Sequence, residues 1–271
     1  MHQQQRLNLV LELVSERSNV TIADVSDLLG VSTATARRDL NTLAEQRLVT
    51  RTHGGATALG SGYELPLQYK IARQADAKLA IARAVEALIP QGATVGMNGG
   101  TTVTEVARAL GRSERLHSVG GEPGVTIVTN ALNIAFESSV RENIKIVVTG
   151  GVPRRQSYEL IGPLVGRSLH DFSLDIALLG VDGLTAEFGA TTLHEGEADA
   201  SRHIAAVARR VVVAADQTKI GRTTFARICA LDDVDTLVTD GALPPRVAAQ
   251  FDKAGVEVIV APPVRAARSE A

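Results

Sequence analysis

The chain has 271 residues, of which 45% are hydrophobic and 21% charged, and its formal net charge is −2 at pH 7. This balance is typical of a folded globular protein, and no apolar run approaches the ~18 residues of a membrane span, so neither an anchor nor a signal peptide is expected. The single cysteine, Cys229, cannot form an internal disulfide, which fits a cytoplasmic protein. The six histidines are too scattered for a metal site, and we expect no cofactor.

Two short helices are predicted before residue 30. Apolar residues at helical spacing predict the first helix, and this pattern stops at residues 18–19. The second helix is predicted over residues 21–29, because Thr21 and Asp24 have the spacing of an N-terminal capping box and Gly30 can close the helix.

A third helix is predicted to start at about Thr33, where Ser32 caps its first amide groups. Ala36, Leu40 and Leu43 bury one face of this helix, so the opposite face presents short side chains and two arginines to solvent. A short strand over residues 48–52 and a turn at residues 53–55 add a β-wing. Such a face suits a DNA groove, and the residues expected to contact DNA are Ser32, Thr33, Ala34, Thr35, Arg37, Arg38 and Asn41 of the helix, with Arg51 and His53 of the wing.

The stretches VSTATARRDL and RTHGGA, at residues 31–40 and 51–56, resemble the DNA-binding domain of the DeoR-type family of bacterial transcriptional regulators. This resemblance implies a winged helix-turn-helix in residues 1–56 and double-stranded operator DNA as a partner. It departs at Ala36, where the family usually has a larger aliphatic residue. Because residues 1–56 hold six arginines against six acids, we expect a homo-oligomer, a dimer or tetramer, to supply affinity by binding repeated half-sites.

A linker is predicted over residues 57–69, and the pattern changes in residues 70–271. Short apolar runs alternate there with helical patterns, which is typical of a parallel, doubly wound α/β sheet covered on both faces. Helices are predicted over residues 74–89, 103–110, 131–138, 195–210 and 245–254. Strands are predicted over residues 94–97, 126–129, 144–148, 175–179, 211–214, 236–238 and 256–260.

Glycine and hydroxyl side chains follow several of the predicted strands. In residues 98–102, glycines let the backbone approach a ligand, a helix N-terminus attracts anions and two threonines add donors, so this loop predicts a phosphate cradle. The strand ends are expected to converge at one edge of the sheet. The predicted ligand-binding residues are Asn98, Gly99, Gly100, Thr101, Thr102, Thr129, Asn130, Gly150, Gly151, Asp182, Gly183, Glu197, Asp216 and Lys219.

The GGTT, VTN, double-glycine, D-x-x-K-x-G and VTD motifs of residues 99–240 resemble the sensor domain of the same family. The resemblance implies a fold similar to ribose-5-phosphate isomerase and glucosamine-6-phosphate deaminase, with a phosphorylated sugar as ligand. The family commonly has an acid at the position of Asn98. The amide keeps the hydrogen-bonding shape, removes a negative charge near the phosphate and puts a catalytic base at this position in doubt.

The leading hypothesis is therefore a DNA-binding transcriptional repressor of sugar metabolism genes, released from its operator by a phosphorylated sugar, and not an enzyme. The alternative is an active sugar-phosphate isomerase or deaminase with an appended DNA-binding domain. The chain offers no convincing pairing of a nucleophile or acid with a base beside the cradle, since His194 and Glu195 are merely adjacent in a loop. Dinucleotide binding is less favoured, because the G-x-G-x-x-G spacing is missing after the first strand of the sheet.

Overall fold

The computed structural model describes residues 3–59, 65–70 and 74–264. The chain divides into two compact units, residues 1–73 and 74–271, which are described separately. Within the described ranges, no helix combines the length and apolar character needed to cross a membrane.

The N-terminal unit is a helix-turn-helix followed by a β-wing. A three-stranded antiparallel sheet in the order β1-β3-β2 forms the wing. The first strand of this sheet lies between the first two helices and was absent from the prediction. The elements are α1 (Gln3–Arg17), β1 (Asn19–Thr21), α2 (Ile22–Leu29), α3 (Thr33–Glu45), β2 (Val49–Arg51), β3 (Gly55–Ala58) and α4 (Leu67–Lys70).

Helix caps fix both ends of α2 and the start of α3 as the sequence predicts. The Thr21 hydroxyl accepts a hydrogen bond from the Asp24 amide at 3.1 Å, and the Asp24 carboxylate accepts one from the Thr21 amide at 2.8 Å. Gly30 ends α2 in the left-handed conformation, with φ of 62°. The Ser32 hydroxyl accepts from the Thr35 amide at 3.2 Å, so α3 begins at Thr33.

The predicted linker differs from the structure at both of its ends. Strand β3 continues to Ala58, two residues beyond the predicted domain boundary. Tyr69 is buried in the N-terminal core and its hydroxyl donates to the Gln46 side chain at 2.6 Å. These ends therefore belong to the N-terminal unit, while residues 60–64 of the predicted linker lie outside the described residues.

The second unit is built on a seven-stranded sheet in the order β15-β14-β12-β9-β4-β5-β6, in which every neighbouring pair is parallel. Its strands are β4 (Thr94–Met97), β5 (Val125–Thr129), β6 (Ile144–Val148), β9 (Leu174–Gly180), β12 (Ala208–Ala214), β14 (Thr236–Thr239) and β15 (Glu257–Val260). Its helices are α5 (Ala75–Leu88), α6 (Thr101–Arg112), α7 (Leu132–Ser138), α8 (Pro163–Leu169), α9 (Glu195–Ala206) and α10 (Pro245–Lys253). The predicted doubly wound α/β fold class is confirmed.

Both faces of this sheet are buried, which explains why its strands are apolar without alternation. Along β9, Ile176 and Leu178 belong to one hydrophobic cluster, whereas Ala177 and Leu179 belong to the other. The strand order reverses at β4, because the chain continues to β5 and β6 on one side and to β9 on the other. A crevice at the carboxyl ends of the strands is expected at this switch point.

Three features of this unit were not predicted correctly. The helix predicted over residues 195–210 ends at Ala206, since Ala208–Ala214 pairs with β9 as a strand. A second, antiparallel sheet consists of β10 (Gly183–Thr185), β11 (Gly189–Thr192) and β13 (Ala226–Cys229). A short hairpin of β7 (Val152–Pro153) and β8 (Leu160–Ile161) precedes α8. Glycine and charged residues interrupt these stretches, so they show no periodic pattern from which the short strands could be predicted.

Candidate functional sites

The outer face of α3 presents the side chains that the sequence predicts. Ala36, Leu40 and Leu43 are fully buried beneath it. Thr35 is half-buried and its hydroxyl lies 2.9 Å from that of the cap residue Ser32. The exposed side chains are those of Ser32, Thr33, Ala34, Arg37, Arg38 and Asn41. A helix with this arrangement offers short residues at its positive end and two guanidinium groups, which suits the major groove of DNA.

An ion pair beneath α3, which was not predicted, attaches this helix to α1. The side chain of Asp39 is completely buried and receives two hydrogen bonds from Arg6, from Nε to Oδ2 and from Nη2 to Oδ1 at 2.9 Å. Bidentate pairing of this kind fixes orientation as well as charge. The hydrogen bonds that Arg6 donates to the Asp39 carboxylate raise the pKa of Arg6, so its guanidinium keeps the positive charge. Asp39 therefore positions the recognition helix from behind.

The wing arginine makes two hydrogen bonds within the protein, and its predicted contact with DNA stays a prediction. Arg51 Nε donates to Asn41 Oδ1 at 2.9 Å, and its Nη1 donates to the carbonyl of Gly55. These bonds connect α3 to the wing and use part of the guanidinium within the protein. His53 lies in the turn between β2 and β3 and is exposed.

The loop between β4 and α6 lies at the switch point of the large sheet. Gly100 has φ of 107° at the N-cap of α6, a conformation that favours glycine, and it has no side chain with which to cap the helix. The first amide groups of this twelve-residue helix therefore point out of its end, beside the half-buried Thr101 and Thr102. A Cβ atom at Gly180 would lie 3.2 Å from the carbonyl oxygen of Gly99, so the loops after β4 and β9 are in contact.

Two predicted ligand residues, Asn98 and Thr129, make hydrogen bonds within the protein. Asn98 is buried: its amide nitrogen donates to the Gly180 carbonyl at 2.9 Å and to the Ser201 hydroxyl at 3.0 Å, and its oxygen accepts from the Gly180 amide at 2.8 Å. Thr129 is also buried, and its hydroxyl donates to the Met97 carbonyl at 2.7 Å. Both side chains hold neighbouring strand ends in place, and this arrangement positions the loop that follows β4.

Glu159, between β7 and β8, lies directly against this loop and was missed by the sequence analysis. Its carboxylate accepts hydrogen bonds from the Gly99 backbone and from Asn130 Nδ2, the latter at 3.0 Å. A Cβ atom at Gly99 would lie 2.5 Å from Glu159 Oε1, so only glycine fits there. Burial, with the negative charge of Glu197 next in importance, raises the pKa of Glu159 to about 8.

Charged and polar side chains continue from Glu159 across the strand ends. Arg154 Nη1 donates to Glu197 Oε1 at 2.9 Å, and the other oxygen of Glu197 accepts from Thr192 at 3.4 Å. The same threonine hydroxyl lies 3.0 Å from Asp182 Oδ2, and Lys219 Nζ lies 3.4 Å from Asp182 Oδ1. The structure thus brings together the predicted Asp182, Glu197 and Lys219, which are dispersed in sequence.

Four other predicted ligand residues have structural contacts of their own. Asp216 is buried and caps the short 3₁₀ turn after β12 by accepting from the Thr218 amide at 3.0 Å. The Gly150 amide donates to the Ser168 hydroxyl at 2.8 Å. Gly151 has φ of 142° beside β8, and Gly183 lies against the carbonyl of Arg222. These contacts fix local backbone geometry, and direct binding of a ligand by these residues stays a prediction.

The side chains that the sequence analysis missed share one property. Arg154, Glu159 and Thr192 lie in the short hairpin and in the antiparallel sheet, where no periodicity marks an element. The sequence offered one signal for these side chains, which is that charged residues stand there between glycine pairs and turns. Only the folded chain shows that Glu159 contacts the cradle loop and that Arg154 and Thr192 contact Glu197.

The chain combines a winged helix-turn-helix with a doubly wound α/β unit whose strand ends carry a polar site. This combination defines the class of DNA-binding regulators that have their own sensor domain. The chain belongs to the DeoR family: the DeoR C terminal sensor domain matches residues 73–241, and the DeoR-like helix-turn-helix domain matches residues 6–61. It is therefore a transcriptional regulator and not an enzyme, and the resemblance found in the sequence is confirmed.

Similar proteins align over nearly the whole chain. The HTH-type transcriptional regulator GlpR of Haloferax volcanii is 35% identical over 257 residues, which cover 94% of this chain and 96% of that protein. The glycerol-3-phosphate regulon repressor of Escherichia coli (strain K12) is 34% identical, covering 91% of this chain and 94% of the repressor. Among solved structures, ribose 5-phosphate isomerase A from Methanocaldococcus jannaschii has a TM-score of 0.40 and 20% identity, over 54% of this chain and 55% of that one.

Proposed function

We propose that the protein is a repressor that binds operator DNA in the cytoplasm as a homo-oligomer, a dimer or tetramer, and is released by a phosphorylated sugar. The observation that carries this proposal is the exposed face of α3, with Arg37 and Arg38 above a buried apolar core. The relatives support the sign of regulation, because one is named a regulon repressor and another a putative aga operon transcriptional repressor.

The chemistry of the strand-end site supports a ligand that is anionic at one end and rich in hydroxyl groups at the other. The amide groups at the start of α6, with Thr101 and Thr102, would hold a phosphate, and Lys219 would add a positive charge. The carboxylates of Asp182 and Glu197 would accept hydrogen bonds from hydroxyl groups. The name of the glycerol-3-phosphate regulon repressor is consistent with a small phosphorylated polyol or sugar.

Replacing Arg38 by alanine is expected to weaken operator binding by ~1–3 kcal/mol and to reduce discrimination at one base position, if this guanidinium reads a base edge. Arg17→Ala removes an exposed arginine from the end of α1 and is the matched control. Both affinities would be measured by fluorescence anisotropy with operator DNA at several salt concentrations. Unchanged affinity of the Arg38 variant would contradict the outward face assigned to α3.

Replacing Lys219 by alanine, or Thr101 by valine, is expected to weaken sugar-phosphate binding by roughly 10-fold or more, because each removes a donor to a charged group. The measurement is the thermal shift produced by a panel of phosphorylated sugars, each compared with its unphosphorylated form. Lys253→Ala, at the exposed end of α10, controls for loss of a lysine. Equal thermal shifts from a free sugar and its phosphate would mean that the site does not recognise the phosphate group.

Effector and operator are expected to weaken each other by the same factor, with a coupling free energy of ~1–3 kcal/mol, or roughly 5–150-fold in affinity. The dissociation constant of the effector would be measured with and without operator DNA at one salt concentration. Identical values, with both ligands bound at once, would mean that the sensor domain does not control DNA binding through this site.

A further inference from the structure

Large apolar side chains are exposed around one edge of the seven-stranded sheet. Strand β6 is the last strand on this side, and its outer edge has no neighbour among the described residues. Phe136 is 80% exposed and Val140 is 77% exposed. We name six of these exposed side chains the edge surface. They are Leu132, Phe136 and Val140 on and just after α7, Val148 at the end of β6, Val152 of β7 and Leu164 of α8.

The members of the edge surface lie on elements that touch one another. The Leu132 amide donates to the carbonyl of Tyr158 at 3.0 Å, which joins the start of α7 to the hairpin segment. A Cβ atom at Gly150 would lie 3.0 Å from Leu164 Cβ, so α8 begins beside the end of β6. The exposed apolar groups of the edge surface therefore lie on connected segments next to the free edge of β6.

The size of this surface fits a protein partner. The six side chains expose on the order of 500 Å² of largely apolar area, which is within the range of the largest patches found on monomers and is often functional. A standard interface buries ~800 Å² per partner, and homodimer interfaces are about 65% apolar. The edge surface therefore supplies about the apolar area that one side of a stable homodimer needs.

We propose that the edge surface is an interface between two copies of this chain. An isologous contact places the same surface on both sides of a two-fold axis, and an apolar surface meets its own copy without like-charge repulsion. Strand β6, IKIVV, carries Lys145 as its single charge, and its unpaired backbone groups can hydrogen-bond to the same strand of a second copy. The inference builds on the proposed oligomer and gives it a location.

The edge surface shares its backbone segments with the sensor site. Asn130 lies two residues before the start of α7, and its carbonyl accepts from the Leu160 amide at 2.7 Å. Glu159, which contacts the cradle loop, lies between β7 and β8 in the same hairpin as Val152. A ligand that shifts Asn130 or Glu159 therefore acts on the segments that carry the interface.

The test measures the molecular mass of the assembly that the full chain forms in solution, by sedimentation velocity and mass photometry without DNA or effector. The double variant Phe136→Glu/Val140→Glu is compared with Phe225→Glu, which changes an aromatic side chain that is 76% exposed before β13. We expect the parent and Phe225→Glu to be at least dimeric at micromolar concentration. The double variant should have half that mass or less, with a dissociation constant raised at least ~100-fold.

Unfolding curves of all three proteins should agree closely, because the changed positions are exposed. The inference is overturned if the parent is monomeric, if the double variant keeps the parent's mass, or if Phe225→Glu dissociates to the same extent. Because mass is measured without DNA or effector, failure of the proposed operator binding would leave this result interpretable.

Discussion

Replacing Arg6 by methionine is expected to destabilise the N-terminal unit by about 3–5 kcal/mol, because the completely buried carboxylate of Asp39 would lose its positive partner. A loss of this size is comparable to a large part of the stability of an ordinary domain. The substitution should therefore increase opening of α1 and α3 and weaken operator binding, although Arg6 is not on the exposed face of α3. Amide hydrogen exchange over residues 3–59 of the full chain would measure the loss.

A double-mutant cycle separates the ion pair from simple loss of packing. Arg6→Met combined with Asp39→Leu replaces both charges by apolar groups, and we expect it to recover most of the lost stability. Arg17→Met is the control, since Arg17 is exposed at the end of the same helix. If Arg6→Met exchanges no faster than Arg17→Met, the pair does not hold α3 in position.

Glu159→Gln is expected to remove a pH dependence of stability in the sensor unit. Because burial raises the pKa of Glu159 from 4.5 to about 8, the folded state binds a proton that the unfolded state releases between these values. The free energy of unfolding therefore falls as pH rises from about 4.5 to about 8, by an amount on the order of a few kcal/mol. Glutamine copies the shape of the neutral acid and cannot ionise.

The readout is the slope of the free energy of unfolding against pH, and not the absolute stability. Glutamine offers one acceptor where the acid offers two, and this loss adds a pH-independent cost of ~1–3 kcal/mol. Denaturant unfolding at pH 5, 6.5 and 8 would be compared for the parent, Glu159→Gln and Glu195→Gln, whose side chain is exposed at the start of α9. We expect the parent and Glu195→Gln to share one slope and Glu159→Gln to be flatter. Parallel slopes for all three proteins would mean that Glu159 is ionised in the folded protein.

The same ionisation should affect ligand binding. Above pH 8 the parent would carry an additional negative charge against Gly99, close to the predicted phosphate. Phosphate binding should then weaken more in the parent than in Glu159→Gln over pH 7 to 9, which a thermal-shift titration with the same sugar phosphate would detect.

Local signals in the sequence determined the elements and their ends. The capping box of Thr21 and Asp24, the N-cap at Ser32 and Gly30 act within a few residues, so both ends of α2 and the start of α3 follow from neighbouring residues alone. Continuous apolar runs likewise determined that the large sheet is parallel and covered on both faces. The outward side of α3 follows from the helical period, which needs no knowledge of the remaining chain.

Tertiary structure decided which side chains meet. Arg6 and Asp39 are 33 positions apart, and Asn98 and Ser201 are 103 apart, so no local pattern pairs them. Strand order placed β4 between β9 and β5, which brought Asn98 to Gly180 and Thr129 to Met97, and the same fold brought Lys219 to Asp182. Glu159 reaches Gly99 only because a hairpin folds back over the strand ends. The physical reason is that capping and periodicity act over one or two helical turns, whereas burial, charge pairing and pKa depend on groups that the chain brings together from distant positions.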